Sequence, residues 1–160
     1  MRDKQREERA ARILIPVGDV TDEEKIIKAL YTLSVFQTPL IVLLHIIEVP
    51  SRVTPLYPSI FKEEIERWEE KLDGISRWLN QQGYRTAVKI MTARNIAEGI
   101  ISEAEREGYD AVVMLKRKVR GRLRRLLHRS ISEKVIRHTN ALVVILQMDR
   151  PPSQPQQQRV

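Results

Sequence analysis

The stretch PLIVLLHII, which runs from Pro39 to Ile47, is almost continuously apolar. A run of this length without polar alternation is typical of a β-strand that is buried on both faces. Shorter runs of the same kind lie on either side of it: ILIPV at Ile13 to Val17, AVVML at Ala111 to Leu115 and ALVVIL at Ala141 to Leu146. Such strands occur almost only in parallel sheets that carry helices on each side, so these runs predict an α/β fold.

Helical patterns separate the apolar runs. Three capping boxes predict helices that begin near Thr21, Asn95 and Ser130 and end near Phe36, Glu107 and His138. The longest pattern, with apolar residues at alternating spacings of four and three, predicts a helix from Ser59 to Gln82. The stretch RTAVKIM, Arg85 to Met91, alternates as an edge strand does. The resulting order βαβαβαβαβ predicts a doubly wound, five-stranded parallel sheet with helices on both faces.

The composition limits the classes of protein to which the chain can belong. With 160 residues, of which 42% are hydrophobic and 31% charged, one globular domain is expected. The absence of cysteine excludes disulfides, thiol nucleophiles and cysteine-ligated metals. Because no apolar run approaches the roughly 18 residues of a membrane span and the charged first residues lack a signal-peptide core, we expect a cytoplasmic protein. Residues 1–10 are predicted to form a flexible arm, residues 11–148 the domain, and the Pro- and Gln-rich residues 149–160 a disordered tail.

The net charge of +7 is concentrated in one segment. Residues 116–129, named here the basic segment, contain eight basic residues and no acidic one, so the remainder of the chain is close to neutral. A partner that is recognised through charge is therefore expected to bind there. The basic segment has no aromatic residue, which disfavours base stacking and sequence-specific recognition of RNA.

No arrangement of residues typical of catalysis is present in the sequence. The three histidines, His45, His128 and His138, lack metal-ligand spacing, and His45 is interpreted as a hydrogen-bonded histidine of the core or of a strand end. The sequence also lacks G-x-S-x-G, the P-loop and G-x-G-x-x-G. We therefore predict that the protein is not an enzyme and that it holds no metal.

The predicted fold indicates where a ligand would bind. In open α/β sheets, ligands bind beyond the carboxyl ends of the strands where the strand order reverses, which falls between the first and fourth strands here. This rule places Gly18 to Val20 and Lys116 at the candidate site. The helix predicted from Ser130 would bring its N-terminal N–H groups, which favour an anion, although a plain N-cap is the alternative role of Ser130.

Residues 11–147 resemble the universal stress protein family. The stretches ILIPV at Ile13, LLHIIE at Leu43 and YDAVVM at Tyr109 are similar to the first, second and fourth strands of the family. The most specific stretch is GRLRRLLHRSISEKVIRHTNALVVIL from Gly121, which is similar in order and spacing to the closing loop, helix and strand. The resemblance implies a sheet of strand order 3-2-1-4-5, a homodimer that pairs through the last strand, and a link to stress responses.

The nucleotide-binding motif of that family is changed in this chain. Nucleotide-binding members carry Gly, two residues, Gly, nine residues, Gly and then Ser or Thr. Aligned on Ser130, the three glycine positions hold Lys116, Val119 and Arg129. Glycine is needed there because the backbone approaches phosphate oxygens closely and adopts conformations that side chains, β-branched Val119 above all, disfavour. The resemblance thus implies that no cofactor is expected and that ATP is disfavoured.

A few positions of the family's nucleotide site are displaced or retained. The usual Val-Asp-Gly-Ser after the first strand is Val-Gly-Asp-Val here, which displaces the acidic group of Asp19 by one position. Ile46, at the position that usually contacts adenine, and Ser130 still match. The residues of this vestigial nucleotide or anion site are Gly18, Asp19, Ile46, Lys116, Arg129 and Ser130.

Two interpretations of the function remain open. In the first, the protein is a non-enzymatic, stress-response homodimer that pairs through Ala141 to Leu146 and no longer binds ATP. In the second, it is an anion-binding module whose basic segment replaces glycine-based phosphate recognition by direct pairing with lysine and arginine. The ligand would then be a phosphorylated molecule, a nucleic-acid backbone or an acidic surface.

Overall fold

A five-stranded parallel sheet forms the centre of the part of the chain that the computed structural model describes, which is residues 10–18, 23–32, 38–49, 61–117 and 131–148. The strands are β1 (Arg12–Pro16), β2 (Leu40–Glu48), β3 (Arg85–Ala93), β4 (Ala111–Arg117) and β5 (Leu142–Met148). All neighbouring strands are parallel, and their order is β3-β2-β1-β4-β5. The predicted doubly wound sheet, its strand order and the edge position of β3 are therefore confirmed.

The last two strands extend beyond their apolar sequences. The β4–β5 ladder continues through Lys116 opposite Gln147 and ends with Arg117 opposite Met148. The hydrogen bonds of a ladder are made by the backbone, so polar residues can prolong a strand past its apolar stretch. The sequence pattern, which reports buried side chains, therefore placed the ends of both strands too early.

Four helices connect the described strands: α1 (Glu23–Thr32), α2 (Lys62–Gln81), α3 (Ile96–Glu107) and α4 (131–138). The predicted start of α3 is confirmed, because Asn95 Oδ1 accepts hydrogen bonds from the backbone N–H groups of Ala97, at 3.0 Å, and Glu98, at 3.4 Å. Gly108 ends α3 with a φ of 63°, a left-handed conformation that favours glycine. The capping boxes predicted at Thr21 and Ser130 lie outside the described residues.

The core has two apolar layers, one on each face of the sheet. Helices α1 and α2 cover one face, and α3 and α4 cover the other. From α2 the buried residues are Trp68, Leu72, Ile75 and Leu79, which confirms this part of the predicted apolar stripe. Since both faces are covered, the central strands are buried on both sides, as their continuous apolar sequences predict.

A buried carboxylate ties α3 to β3. The side chain of Glu103 is fully buried and accepts hydrogen bonds from Lys89 Nζ at 2.8 Å, from Tyr109 Oη at 3.0 Å and from the Arg106 guanidinium at 2.9 Å. Burial by itself raises the pKa of Glu103, but the hydrogen bonds from Lys89 and Tyr109 and the two positive charges outweigh it, so the pKa lies below its ordinary value. Glu103 is therefore a buried ion whose partners stabilise its charged form.

Candidate functional site

The backbone pairing between β1 and β4 ends before the carboxyl ends of these two strands. These two strands are neighbours, but their pairing is limited to Ile13 with Ala111 and Leu14 with Val112. On the outer sides, by contrast, β1 stays paired with β2, and β4 with β5, to the last residue of each strand. The pairing of β1 with β4 therefore ends at the point where the strand order reverses, which is where open α/β sheets bind ligands. The region beyond the carboxyl ends of these two strands is named here the crevice.

Pro16 accounts for the point at which the pairing of β1 with β4 ends. In a parallel strand, the N–H and C=O groups of one residue point to the same neighbouring strand, and those of the next residue point to the other. The Arg12 carbonyl accepts from Asp110 N–H at 2.9 Å on the β4 side, whereas Val17 N–H donates to the Leu44 carbonyl of β2 at 2.8 Å. Pro16 has the same alternation as Arg12 and so faces β4, but proline has no N–H to donate.

His45 fixes the end of β1 from the neighbouring strand. Its Nδ1 donates a hydrogen bond to the Val17 carbonyl oxygen at 2.8 Å. The imidazole also stacks on the indole of Trp68 from α2, with a distance of 3.4 Å between ring centroids and an angle of 15° between the planes. The interpretation of His45 as a hydrogen-bonded histidine of the core is confirmed, and the residue holds the backbone that leads into the crevice.

The structure brings three of the six predicted site residues to this edge of the sheet. Gly18 is exposed and follows β1, Lys116 is a half-buried residue of β4, and Ile46 is buried near the end of β2. The other three residues, Asp19, Arg129 and Ser130, lie outside the described ranges, as does most of the basic segment. Their participation in the site stays a prediction.

The Ile46 side chain is a core contact rather than an open wall of the crevice. It is only 7% exposed and packs against α3. A Cβ atom built on Gly99 of α3 would lie 2.7 Å from Ile46 Cδ1 and 3.1 Å from Ala93 Cβ, so a side chain at this position would displace the end of Ile46, and glycine lets α3 approach β2 and β3 without that shift. Ile46 therefore offers little surface to a ligand.

The side chains that commonly bind metals are not clustered in the described ranges. There, no group of three His, Asp or Glu side chains lies close enough together to hold a metal ion. Among the described histidines, His45 donates a hydrogen bond to the Val17 carbonyl oxygen and stacks on Trp68. His138 Nδ1 donates to the Lys134 carbonyl oxygen at 2.8 Å. None of the helices that the structure describes is long and apolar enough to cross a membrane.

One family model matches almost the whole domain that contains the crevice. The model of the universal stress protein family aligns with residues 10–147. The chain belongs to the universal stress protein family. In this universal stress protein, Gly18 and Lys116 lie at the edge of the sheet beside the crevice and Ile46 is buried nearby, and their part in binding a ligand stays a prediction.

Several solved structures are similar to this universal stress protein in fold. Hypothetical protein MJ0577 is 22% identical, with a TM-score of 0.65, and the match covers 89% of this chain and 99% of that one. Universal stress protein UspA from Lactobacillus plantarum is 15% identical, with a TM-score of 0.64 and coverage of 86% and 98%. The universal stress protein from Archaeoglobus fulgidus in complex with dAMP is 14% identical, with a TM-score of 0.60 and coverage of 84% and 96%. No curated protein sequence matches the chain.

Proposed function

We propose that this universal stress protein is a non-enzymatic, homodimeric regulator of the stress response that has lost the family's ATP site. The observation that carries the proposal is the path of β4. Lys116 stands at the position of the first motif glycine, and it is a strand residue paired with Gln147. An extended, paired strand does not provide the turned backbone with free N–H groups that cradles a phosphate.

The packing around Ile46 supports the same conclusion for the base of a nucleotide. Ile46 stands at the position that usually contacts adenine, but its side chain is enclosed by α3 and β3. Its aliphatic surface is therefore used in the core, and a bound adenine would have little of it to contact. Loss of contacts to both the base and the phosphates favours a protein that acts without ATP.

The proposed dimer pairs through β5. This strand is an edge of the sheet, and its residues Leu142 and Ile145 are 53% and 38% exposed. An unpaired apolar edge favours association with another strand. Pairing the same strand of two copies across a twofold axis would cover both edges at once.

Mg-ATP should show no saturable binding to this protein in the low micromolar range. The physical reason is that Lys116, Val119 and Arg129 occupy positions where a side chain prevents the close approach of backbone to phosphate. Isothermal titration calorimetry with the full chain is the measurement. A tight isotherm with one nucleotide per chain would show that the chain holds triphosphate in another way, and the proposed loss of the site would be wrong.

A matched variant tests the cause. The triple substitution Lys116→Gly, Val119→Gly and Arg129→Gly restores the three motif glycines while leaving Ser130 in place. If the lost glycines are what prevents binding, the variant should bind Mg-ATP more tightly than the wild type does. The universal stress protein from Archaeoglobus fulgidus, which is similar to this chain in fold, forms a complex with dAMP, which supports the expectation that a protein of this fold with a suitable site can hold a nucleotide.

The alternative function is recognition of anions by the basic segment. Eight positive charges without an acidic neighbour repel one another, so a counter-anion stabilises them. We expect weak, salt-sensitive binding of polyphosphate and of unrelated oligonucleotides, because phosphate contacts carry no sequence information. The measurement is fluorescence anisotropy at low and at near-physiological salt. Substitution of Arg124, Arg125 and Arg129 by Gln should abolish binding, whereas absence of binding at low salt in the wild type would leave the dimeric regulator as the only proposal.

A further inference from the structure

The two edges of the sheet differ in charge. Within the described chain, β3 and β5 each pair on one side only, so each presents a row of unpaired backbone groups. The apolar stretch of β5, Leu142 to Leu146, contains no charged residue, whereas β3 carries Arg85 at its start and Lys89 at its centre. One edge is therefore apolar, and the other contains two positive charges.

The backbone of β3 offers no obstacle to a further strand. It pairs with β2 over nine consecutive residues, from Leu40 opposite Arg85 to Glu48 opposite Ala93. It also contains no proline, which would remove a donor from the edge. A long, regular edge of this kind is a template for another strand unless a side chain prevents pairing.

Lys89 points from this edge into the protein. Its Nζ lies 2.8 Å from both carboxylate oxygens of Glu103 and 4.0 Å from a carboxylate oxygen of Glu107. The Glu103 side chain is fully buried, and 32% of the Lys89 side chain remains exposed. A strand added beside β3 would cover that remaining surface, and burying a charge is costly even when it is paired.

We propose that the Lys89–Glu103 ion pair prevents a second copy of this chain from pairing with β3. An inward-pointing charge on an edge strand is one of the devices by which natural sheets prevent association between edges. The carboxylates of Glu103 and Glu107 keep the Lys89 side chain in its inward orientation. Without them, the charged end of the lysine would be more stable in solvent. This inference goes beyond the proposed function, since it concerns β3 whether or not two copies pair through β5.

The test replaces the ion pair and the tyrosine that donates a hydrogen bond to it, all in one variant. In the triple variant Lys89→Met, Glu103→Leu and Tyr109→Phe, no buried charge loses its partner, and the Tyr109 hydroxyl, which donates to Glu103, is removed with its acceptor. Replacing a buried ion pair by apolar side chains often leaves stability unchanged or raises it. We therefore expect a folded protein whose mean mass at tens of micromolar, measured by sedimentation velocity, exceeds that of the wild type by about twofold or more.

A second substitution separates the charge at the edge from the structural role of the ion pair. Ala87 is exposed on β3, two residues before Lys89 and on the same face of the strand. Adding Ala87→Lys to the triple variant restores a lysine to the edge without restoring the contact to Glu103. This four-fold variant should return to the mass of the wild type.

Cysteine cross-linking identifies the edge that associates. The chain has no cysteine, so Thr92→Cys on β3 introduces a single thiol. Oxidation should link two chains in the triple variant and leave the wild-type background largely unlinked. If the triple variant does not fold, Lys89→Met alone serves, because Glu103 keeps its hydrogen bonds from Arg106 and Tyr109. A folded variant that lacks Lys89 and retains the mass of the wild type would overturn the proposal.

Discussion

Replacement of Glu103 by Gln should lower the free energy of unfolding at neutral pH by about 3 kcal/mol. The variant keeps the shape of the side chain but removes the charge that Lys89 and Arg106 face, and it presents an amide N–H₂ group to one of these two donors. The expected loss lies at the lower end of the range for breaking a buried ion pair, because Lys89 and Arg106 are 32% and 58% exposed and keep contact with water. Urea denaturation followed by circular dichroism is the measurement.

The same variant should change the response to acid. The pKa of Glu103 is lowered in the folded protein, so its stabilisation is present above the ordinary pKa of a glutamate and is lost as the pH falls through the lower, folded value. The wild type should therefore lose stability below about pH 4, and the Glu103→Gln variant should lose less over the same interval. Hydrogen bonds from Asn140 and Thr139 also lower the pKa of Glu105, so part of the acid sensitivity remains in the variant.

Glu98 provides the matched control for both measurements. It lies on the same helix, α3, and is exposed. Glu98→Gln should change the free energy of unfolding by only a few tenths of a kcal/mol, the magnitude expected of an exposed charge in the first turn of a helix. Equal losses in the two variants would contradict the role assigned to the buried carboxylate.

The double substitution Leu142→Asp and Ile145→Asp should weaken the proposed dimer by on the order of 100-fold or more, since burying unpaired carboxylates costs several kcal/mol and each 1.4 kcal/mol is tenfold. Both residues are exposed on β5, so the fold of each chain should be kept. Val144 is less suitable, because it packs against the core beside α1 and α2 and its replacement would also affect folding. Light scattering at tens of micromolar is the measurement.

The opposite edge of the sheet supplies the control. Thr92→Asp adds a carboxylate to an exposed position of β3 and should leave the dimer unchanged. A wild-type protein that is monomeric at tens of micromolar would refute pairing through β5. It would leave the inference about Lys89 standing, because that inference is judged by the mass gained over the wild type.

The α/β fold was predictable from residue order alone. Strands that are covered by helices on both faces must be apolar along their whole length, so a stretch such as Pro39 to Ile47 identifies them directly. The crossover rules then restrict the order of the strands, and the reversal of that order locates the crevice beside Gly18 and Lys116. The core role of His45 was also predictable, since its neighbours in the sequence are all apolar.

Other features of the site were not predictable, although the residues concerned are visible in the sequence. Pro16 belongs to an apolar run, and its effect depends on which neighbouring strand its missing N–H would have faced. An isolated glycine within a helical pattern, such as Gly99, often marks close packing, but only the structure identifies Ile46 as its contact. Likewise, Glu103 resembles the exposed acidic residues of an amphipathic helix until its burial against Lys89 is seen.

The sequence by itself thus determined which segments are strands and helices and which of their faces are buried. Only the tertiary structure decided where the pairing of β1 with β4 ends, which elements enclose Ile46, and that one edge of the sheet has an inward-pointing lysine while the other is apolar. The physical reason is the separation along the chain of the residues that make each contact. Hydrophobic periodicity records the environment of each residue along its own element, whereas the contacts of Val17 with His45 and of Lys89 with Glu103 join residues 28 and 14 positions apart, which only the folded sheet brings together.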